Sequence, residues 1–128
     1  LKQVAQLTDL DRVRTRVRLG IEMAKEGIKE TVATFETVRK ELEEISRRLN
    51  GIKRDVSQLT AESRKARGAQ KKKLEDKRKA AQTKQKQFER RADKLKERLD
   101  ELTAKRIQYQ GFKTTLTDQG LALGMEFD

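Results

Sequence analysis

Residues 21 to 66 read IEMAKEGIKETVATFETVRKELEEISRRLNGIKRDVSQLTAESRKA. Their apolar side chains recur at alternating intervals of three and four. Heptad position a holds Ile21, Ile28, Phe35, Leu42, Leu49 and Val56. Position d holds Ala24, Thr31, Val38, Ile45, Ile52, Leu59 and Ala66. Thr31 alone breaks the apolar pattern. The register lasts six heptads, and a 3–4 repeat sustained that far is the signature of a coiled coil. Gly51 lies inside the run and costs about 1 kcal/mol of helix propensity without interrupting the seam.

A second seam starts at Leu74. Its d positions are Leu74, Ala81, Phe88, Leu95, Leu102, Tyr109 and Leu116; its a positions are Arg78, Gln85, Ala92, Leu99, Arg106 and Lys113, a more polar face. The two registers do not join, because Ala66 and Leu74 are eight residues apart. Either one long helix absorbs a skip residue, or the chain turns. Gly68 and Ala69 sit in the gap, and glycine is the usual residue just past a helix C-terminus. The expected fold is all-α, a long antiparallel coiled-coil hairpin over residues 21–116 with its turn near 67–70. A continuous helix in an oligomeric coiled coil is the alternative.

Folding about the Gly68–Ala69 bond makes a definite set of layers. Ile21 meets Leu116, Ile28 meets Tyr109 and Phe35 meets Leu102. Val38 then meets Leu99, Leu42 meets Leu95, Ile45 meets Ala92, Leu49 meets Phe88 and Val56 meets Ala81. The flanking g positions become Glu62 with Lys77, Asp55 with Lys84 and Glu41 with Arg98, and only Arg48 against Arg91 repels. In a parallel dimer of the first helix, Arg48 would face Lys53, and only Glu62 with Arg67 would attract. Exposed pairs contribute a few tenths of a kcal/mol each, so they speak to register rather than to stability. Such a hairpin would run roughly 70 Å at about 1.5 Å per residue.

Upstream, residues 1–20 form a lead-in. Thr8, followed by Asp9 and Asp11, resembles a helix start, with acid set against the positive end of the helix dipole. Arg12, Arg14, Arg16 and Arg18 alternate with Val13, Thr15, Val17 and Leu19, which also suits a strand. Leu10, Val13 and Val17 share a helical face, and helix is the expectation. Residues 117–128 are glycine-spaced and apolar, with Gly120, Gly124, Leu121, Leu123, Met125 and Phe127. They read as a helix end followed by a segment that docks somewhere, the base of the hairpin being one place for it. The spacing of Gly120 and Gly124 does not make a membrane motif, because no apolar 20-mer surrounds it.

Composition narrows function mainly by exclusion. The 128 residues are 34% apolar, 4% aromatic and 41% charged, with no proline. A compact globule would need more apolar surface, whereas a two-helix seam does not. The periodicity argues against disorder. Without cysteine or histidine there is no disulfide, no zinc site of the usual kind and no imidazole catalysis. No segment approaches bilayer-spanning length. Leu1 is not a start methionine, and the chain reads as an ordered piece of something longer. Glu43–Glu44 and Asp100–Glu101 are helix neighbours about 100° apart and do not converge on one atom. Gly68-Ala69-Gln70-Lys71 lacks phosphate-loop spacing, and Tyr109 falls on a core position. No enzyme activity, cofactor or metal is expected.

The net charge of +11 is uneven. Residues 64 to 91 hold thirteen Lys/Arg against three acids, while residues 1–63 hold thirteen against eleven and residues 92–128 six against seven. A solvated helix face accounts for lysines in general, but such a face usually mixes its signs. The hairpin gathers Arg64, Lys65, Arg67, Lys71, Lys72, Lys73, Lys77, Arg78 and Lys79 at its turn, and these are the candidate binding residues. A positive end of this kind attracts anionic polymers. Phe88 is the only aromatic in the stretch and belongs to the seam, so single-strand stacking is not expected.

Phosphate-backbone contact, an acidic filament such as a microtubule, or an anionic membrane surface would all be served by these lysines. The leading expectation is an elongated binding or scaffold arm for an acidic polymer, nucleic acid or filament, in an intracellular setting, cytoplasmic or nuclear. The competing one is a structural coiled coil that self-associates through its seam, forming a homo-oligomer in which the charge is incidental.

Overall fold

A computed structural model describes residues 2–127, and side chains from Asp9 to Phe127. Two helices account for nearly all of it: α1, Lys2–Lys65, and α2, Ala69–Ala122. They pack against each other as an antiparallel hairpin, which excludes the continuous helix. The chain divides into two compact units: a terminal unit, Leu1–Phe35 with Asp100–Asp128, and a turn unit, Glu36–Leu99.

The lead-in departs from expectation at one point. Helix α1 already runs through Thr8, so Thr8 is not its cap. Ala5, Gln6 and Leu7 are good helix formers, and no glycine or proline precedes Thr8 to stop the helix there. The strand reading of Arg12 to Leu19 is likewise replaced by helix.

In the terminal unit Val17, Ile21 and Met125 form a buried cluster, with Leu116, Leu123 and Phe127 packed against it. Thr31, the polar residue of the seam, is buried, and its Oγ1 donates to the carbonyl of Gly27 at 2.6 Å. The hydroxyl is thus satisfied within its own helix. Two glycines on α1, seven residues apart, receive the large side chains of α2. A Cβ on Gly20 would lie 2.7 Å from Leu116 Cδ1, and one on Gly27 would lie 2.7 Å from the Tyr109 ring. Leu116, which packs against the cluster containing its expected partner Ile21, and Tyr109 each also cover the glycine that precedes the expected partner, Gly20 before Ile21 and Gly27 before Ile28.

The end of α2 is a Schellman motif. Gly124 has φ +76°, the Met125 N–H donates to Gly120 O at 2.9 Å, and the Gly124 N–H donates to Leu121 O at 3.0 Å. Both bonds satisfy carbonyls that the helix would otherwise leave open. The motif reverses the chain so that Phe127 covers Gly120 and Met125 enters the cluster. Arg14 Nη2 donates to Leu123 O at 2.8 Å.

In the turn unit Val38, Ile45, Ala92 and Ser63 are buried, while Leu42, Leu49, Leu95 and Leu99 are half-buried. Two helices cover a seam only in part, and among the described residues no large side chain is completely buried. Two of the expected flanking pairs, Asp55 with Lys84 and Glu62 with Lys77, do not form. Asp55 and Lys84 line the same cleft without closing an ion pair. Glu62 accepts from Gln58 Nε2 at 3.3 Å instead of meeting Lys77. Locking two long exposed chains together gains little. The repulsion of Arg48 and Arg91 is also relieved locally: Arg48 pairs with Glu44 at 3.0 Å, and Arg91 lies over the Phe88 ring, 5.7 Å from its centroid.

Candidate anion-binding surface at the turn

Helix α1 ends where Ser63 and Ala66 still face inward and Arg64, Lys65 and Arg67 face out. The Ala66 N–H donates to Glu62 O at 3.0 Å, continuing the helical pattern one residue further. Gly68 then takes φ +67°, a conformation that costs an L side chain strain. Its carbonyl accepts from the Lys72 N–H at 3.3 Å, opening α2. One glycine therefore ends one helix and begins the next within residues 66–68.

Eight of the nine candidate residues are exposed: Arg64, Lys65, Arg67, Lys71, Lys72, Lys73, Lys77 and Lys79. None of them closes an ion pair within 4.0 Å with another described residue, whereas the ion pairs elsewhere in α1 join neighbours one turn apart, Lys25 to Glu22, Arg39 to Glu36 and Glu43, and Arg48 to Glu44. Arg78 is the exception among the nine. It occupies a seam position, is half-buried, and its Nε is buried with no hydrogen-bond partner among the described residues. It differs in this from the other polar seam residues of α2: Gln85 bonds Glu89 at 3.0 Å, and Arg106 is exposed.

The helix dipoles separate the cations into two kinds. Arg64 and Lys65 occupy the last turn of α1, where positive charge is stabilising. Helix-making alone accounts for them. Lys71 and Lys72 fall in the first turn of α2, which contains no acid. There the dipole is positive and each lysine is unfavourable by about 0.3–1 kcal/mol. A sequence selected only for folding would place acid here. Lys71 and Lys72 therefore carry the stronger claim to an external partner, and Lys73 follows them directly in sequence.

Beside the turn, Ala80 and Ala81 are too small to fill the space opposite Ile52 and Leu59, and an open cleft of about 530 Å³ remains, with Asp55, Glu62 and Lys84 at its rim. Charge counting misses this cleft; the paired alanines were the signal for it. Among the described residues no group of acidic side chains could hold a metal ion, and no helix is long and apolar enough to cross a membrane.

The fold defines the class: an antiparallel two-helix hairpin with a lysine-rich turn. No protein-family model, curated protein or solved structure matches the chain.

Proposed function

We propose that the chain is a coiled-coil binding or scaffold element whose turn engages an acidic polymer electrostatically, either nucleic acid through its phosphate backbone or an acidic protein filament such as a microtubule, in an intracellular setting. One observation carries this reading. Exposed cations without ion-pair partners crowd the turn, and two of them, Lys71 and Lys72, sit in the first turn of α2, where positive charge opposes the helix dipole. An anion laid across that end would relieve both the mutual repulsion and the unfavourable dipole contact.

Self-assembly through the apolar seam is less favoured, because α2 covers the seam of α1 within the same chain.

The test is binding of labelled duplex DNA at near-physiological salt. Wild type should bind with a Kd on the order of 10⁻⁴ to 10⁻⁶ M, as expected of backbone contact. A variant carrying Lys71→Glu, Lys72→Glu and Lys73→Glu should lose binding while keeping its helicity. Retained binding in that variant contradicts the site. Absence of binding in wild type rules out the nucleic-acid form and directs the same comparison to acidic filaments.

A further inference from the structure

Of the 32 Lys/Arg in the chain, one lies outside a helix. It is Arg67, in the break of residues 66–68 that joins α1 to α2. The same stretch is the least held part of the turn. Residues 67–73 are seven exposed positions in succession, and no other exposed run among the described residues exceeds five. Elsewhere the seam interrupts exposure every few residues. Opening 67–73 therefore gives up little apolar burial, and that is what lets a segment unfold locally ahead of its neighbours.

Backbone hydrogen bonding opposes that opening only weakly. At the break the Ala66 N–H donates to Glu62 O at 3.0 Å and the Lys72 N–H to Gly68 O at 3.3 Å, and the N–H groups of a helix's first turn have no acceptor inside the helix. Lys71 and Lys72 weaken the first turn of α2 through the dipole, with no acid there to offset them. Gly68 contributes in a second way. It can leave its φ of +67° for an extended conformation without steric cost, and a Cβ in its place would meet nothing within 4 Å. The chain on either side of the Arg67–Gly68 bond can straighten without displacing a neighbour.

We propose that the Arg67–Gly68 peptide bond is a proteolytic processing site, cut by a serine protease of trypsin-like specificity. Such an enzyme takes an extended segment and seats a lysine or arginine against a carboxylate in its specificity pocket. Helical backbone does not fit that cleft, so the other Lys/Arg are protected while they remain within α1 and α2. Residues 104–108, the next longest exposed run, include Lys105 and Arg106 but lie in the interior of α2, with helical hydrogen bonds on both sides. At the turn the protease serine attacks the Arg67 carbonyl carbon, the C–N bond breaks, and the Gly68 amine leaves with a proton. Water then hydrolyses the acyl ester. The net change is one water consumed, with a carboxylate on Arg67 and an amine on Gly68 as the new ends. Both new ends are exposed and outside the seam, so the product is a two-chain coiled coil of α1 and α2.

Limited digestion of the full chain with trypsin, read by intact-mass spectrometry of the earliest fragments, tests this. The first pair should be residues 1–67 and 68–128. Arg67→Gln, at an exposed position outside the helices, should keep the fold and slow the first cleavage by about tenfold or more, because a pocket built for a cation rejects a neutral amide. The Lys105→Gln, Arg106→Gln double variant should be cut first at Arg67 at the wild-type rate. After digestion under native conditions the two fragments should co-elute as one helical species. A first cleavage at any other Lys/Arg, or an Arg67→Gln variant cut at the wild-type rate, overturns the site. Fragments that separate once the bond is cut overturn the two-chain product.

Discussion

Arg14 and Leu123 are 109 residues apart in sequence, yet Arg14 donates through both Nη2, at 2.8 Å, and Nε, at 3.3 Å, to the Leu123 carbonyl oxygen. That carbonyl lies one residue past the end of α2, where helical geometry leaves it without a backbone donor and where positive charge is favoured. Arg14 thus fastens the end of α2 to α1 and fixes where Met125 and Phe127 return to the cluster. Arg14→Met removes both hydrogen bonds and keeps the apolar stem. The expected cost is about 1 kcal/mol. It should appear as weakened hydrogen-exchange protection of the Met125 amide, with protection in the turn unit unchanged.

The glycines divide by what surrounds them. A Cβ at Gly51 or Gly111 meets nothing within 4 Å, and both lie inside helices. Gly51→Ala and Gly111→Ala should each stabilise the hairpin by about 0.5–1 kcal/mol in thermal unfolding. Gly27→Ala should do the opposite, because the new Cβ would press into the Tyr109 ring and force a rigid side chain out of the seam. If all three substitutions shift the midpoint in the same direction, the close approach at Gly27 is wrong.

Arg78 separates stability from binding. Its unpartnered Nε carries a desolvation cost of about 1–3 kcal/mol, which Arg78→Met removes while keeping a long flexible side chain in the seam. The variant should melt higher than wild type. It should also lose less affinity for an acidic polymer than Lys72→Met, because Lys72 is exposed and Arg78 is half-buried.

The Glu36–Arg39 pair gives a pH signature. The hydrogen bond from Arg39, helped by the charges of Arg39 and Lys40, holds the Glu36 carboxyl below its ordinary range. A depressed carboxylate stabilises the folded chain at every pH above the ordinary glutamate range, and that contribution is lost as pH falls through the depressed value. The difference in melting between wild type and Glu36→Gln should therefore be constant from mildly acidic to neutral pH and vanish in strong acid. A difference that grows on acidification would contradict the pairing.

Much of this architecture is legible from side-chain spacing, for a physical reason. A seam is a repeat of apolar residues, so Ile21 to Ala66 and Leu74 to Leu116 announce themselves, and Gly68 marks the turn because few other residues adopt its φ. What escapes such a reading has no periodic signal. Gly20 and Gly27 matter through the absence of a side chain at a flanking heptad position, next to the residues that mark the seam. Arg14 stands among alternating arginines that look alike until the Schellman turn presents a carbonyl to one of them. The expected Asp55–Lys84 and Glu62–Lys77 pairs fail because heptad letters give adjacency without distance, and Asp55 and Lys84 line an open cleft instead. At the turn, the addresses of the cations follow from counting charge. Their lack of partners does not, and neither does the inward placement of Arg78 Nε.

The salt dependence of duplex DNA binding tests the central claim most directly. If the exposed cations of the turn contact phosphates, log Kobs should fall linearly with log salt, by about 0.9 for each phosphate neutralised, and Lys72→Gln should shorten the slope by about 1. A slope near zero, or one that Lys72→Gln leaves unchanged, would contradict electrostatic binding at this surface.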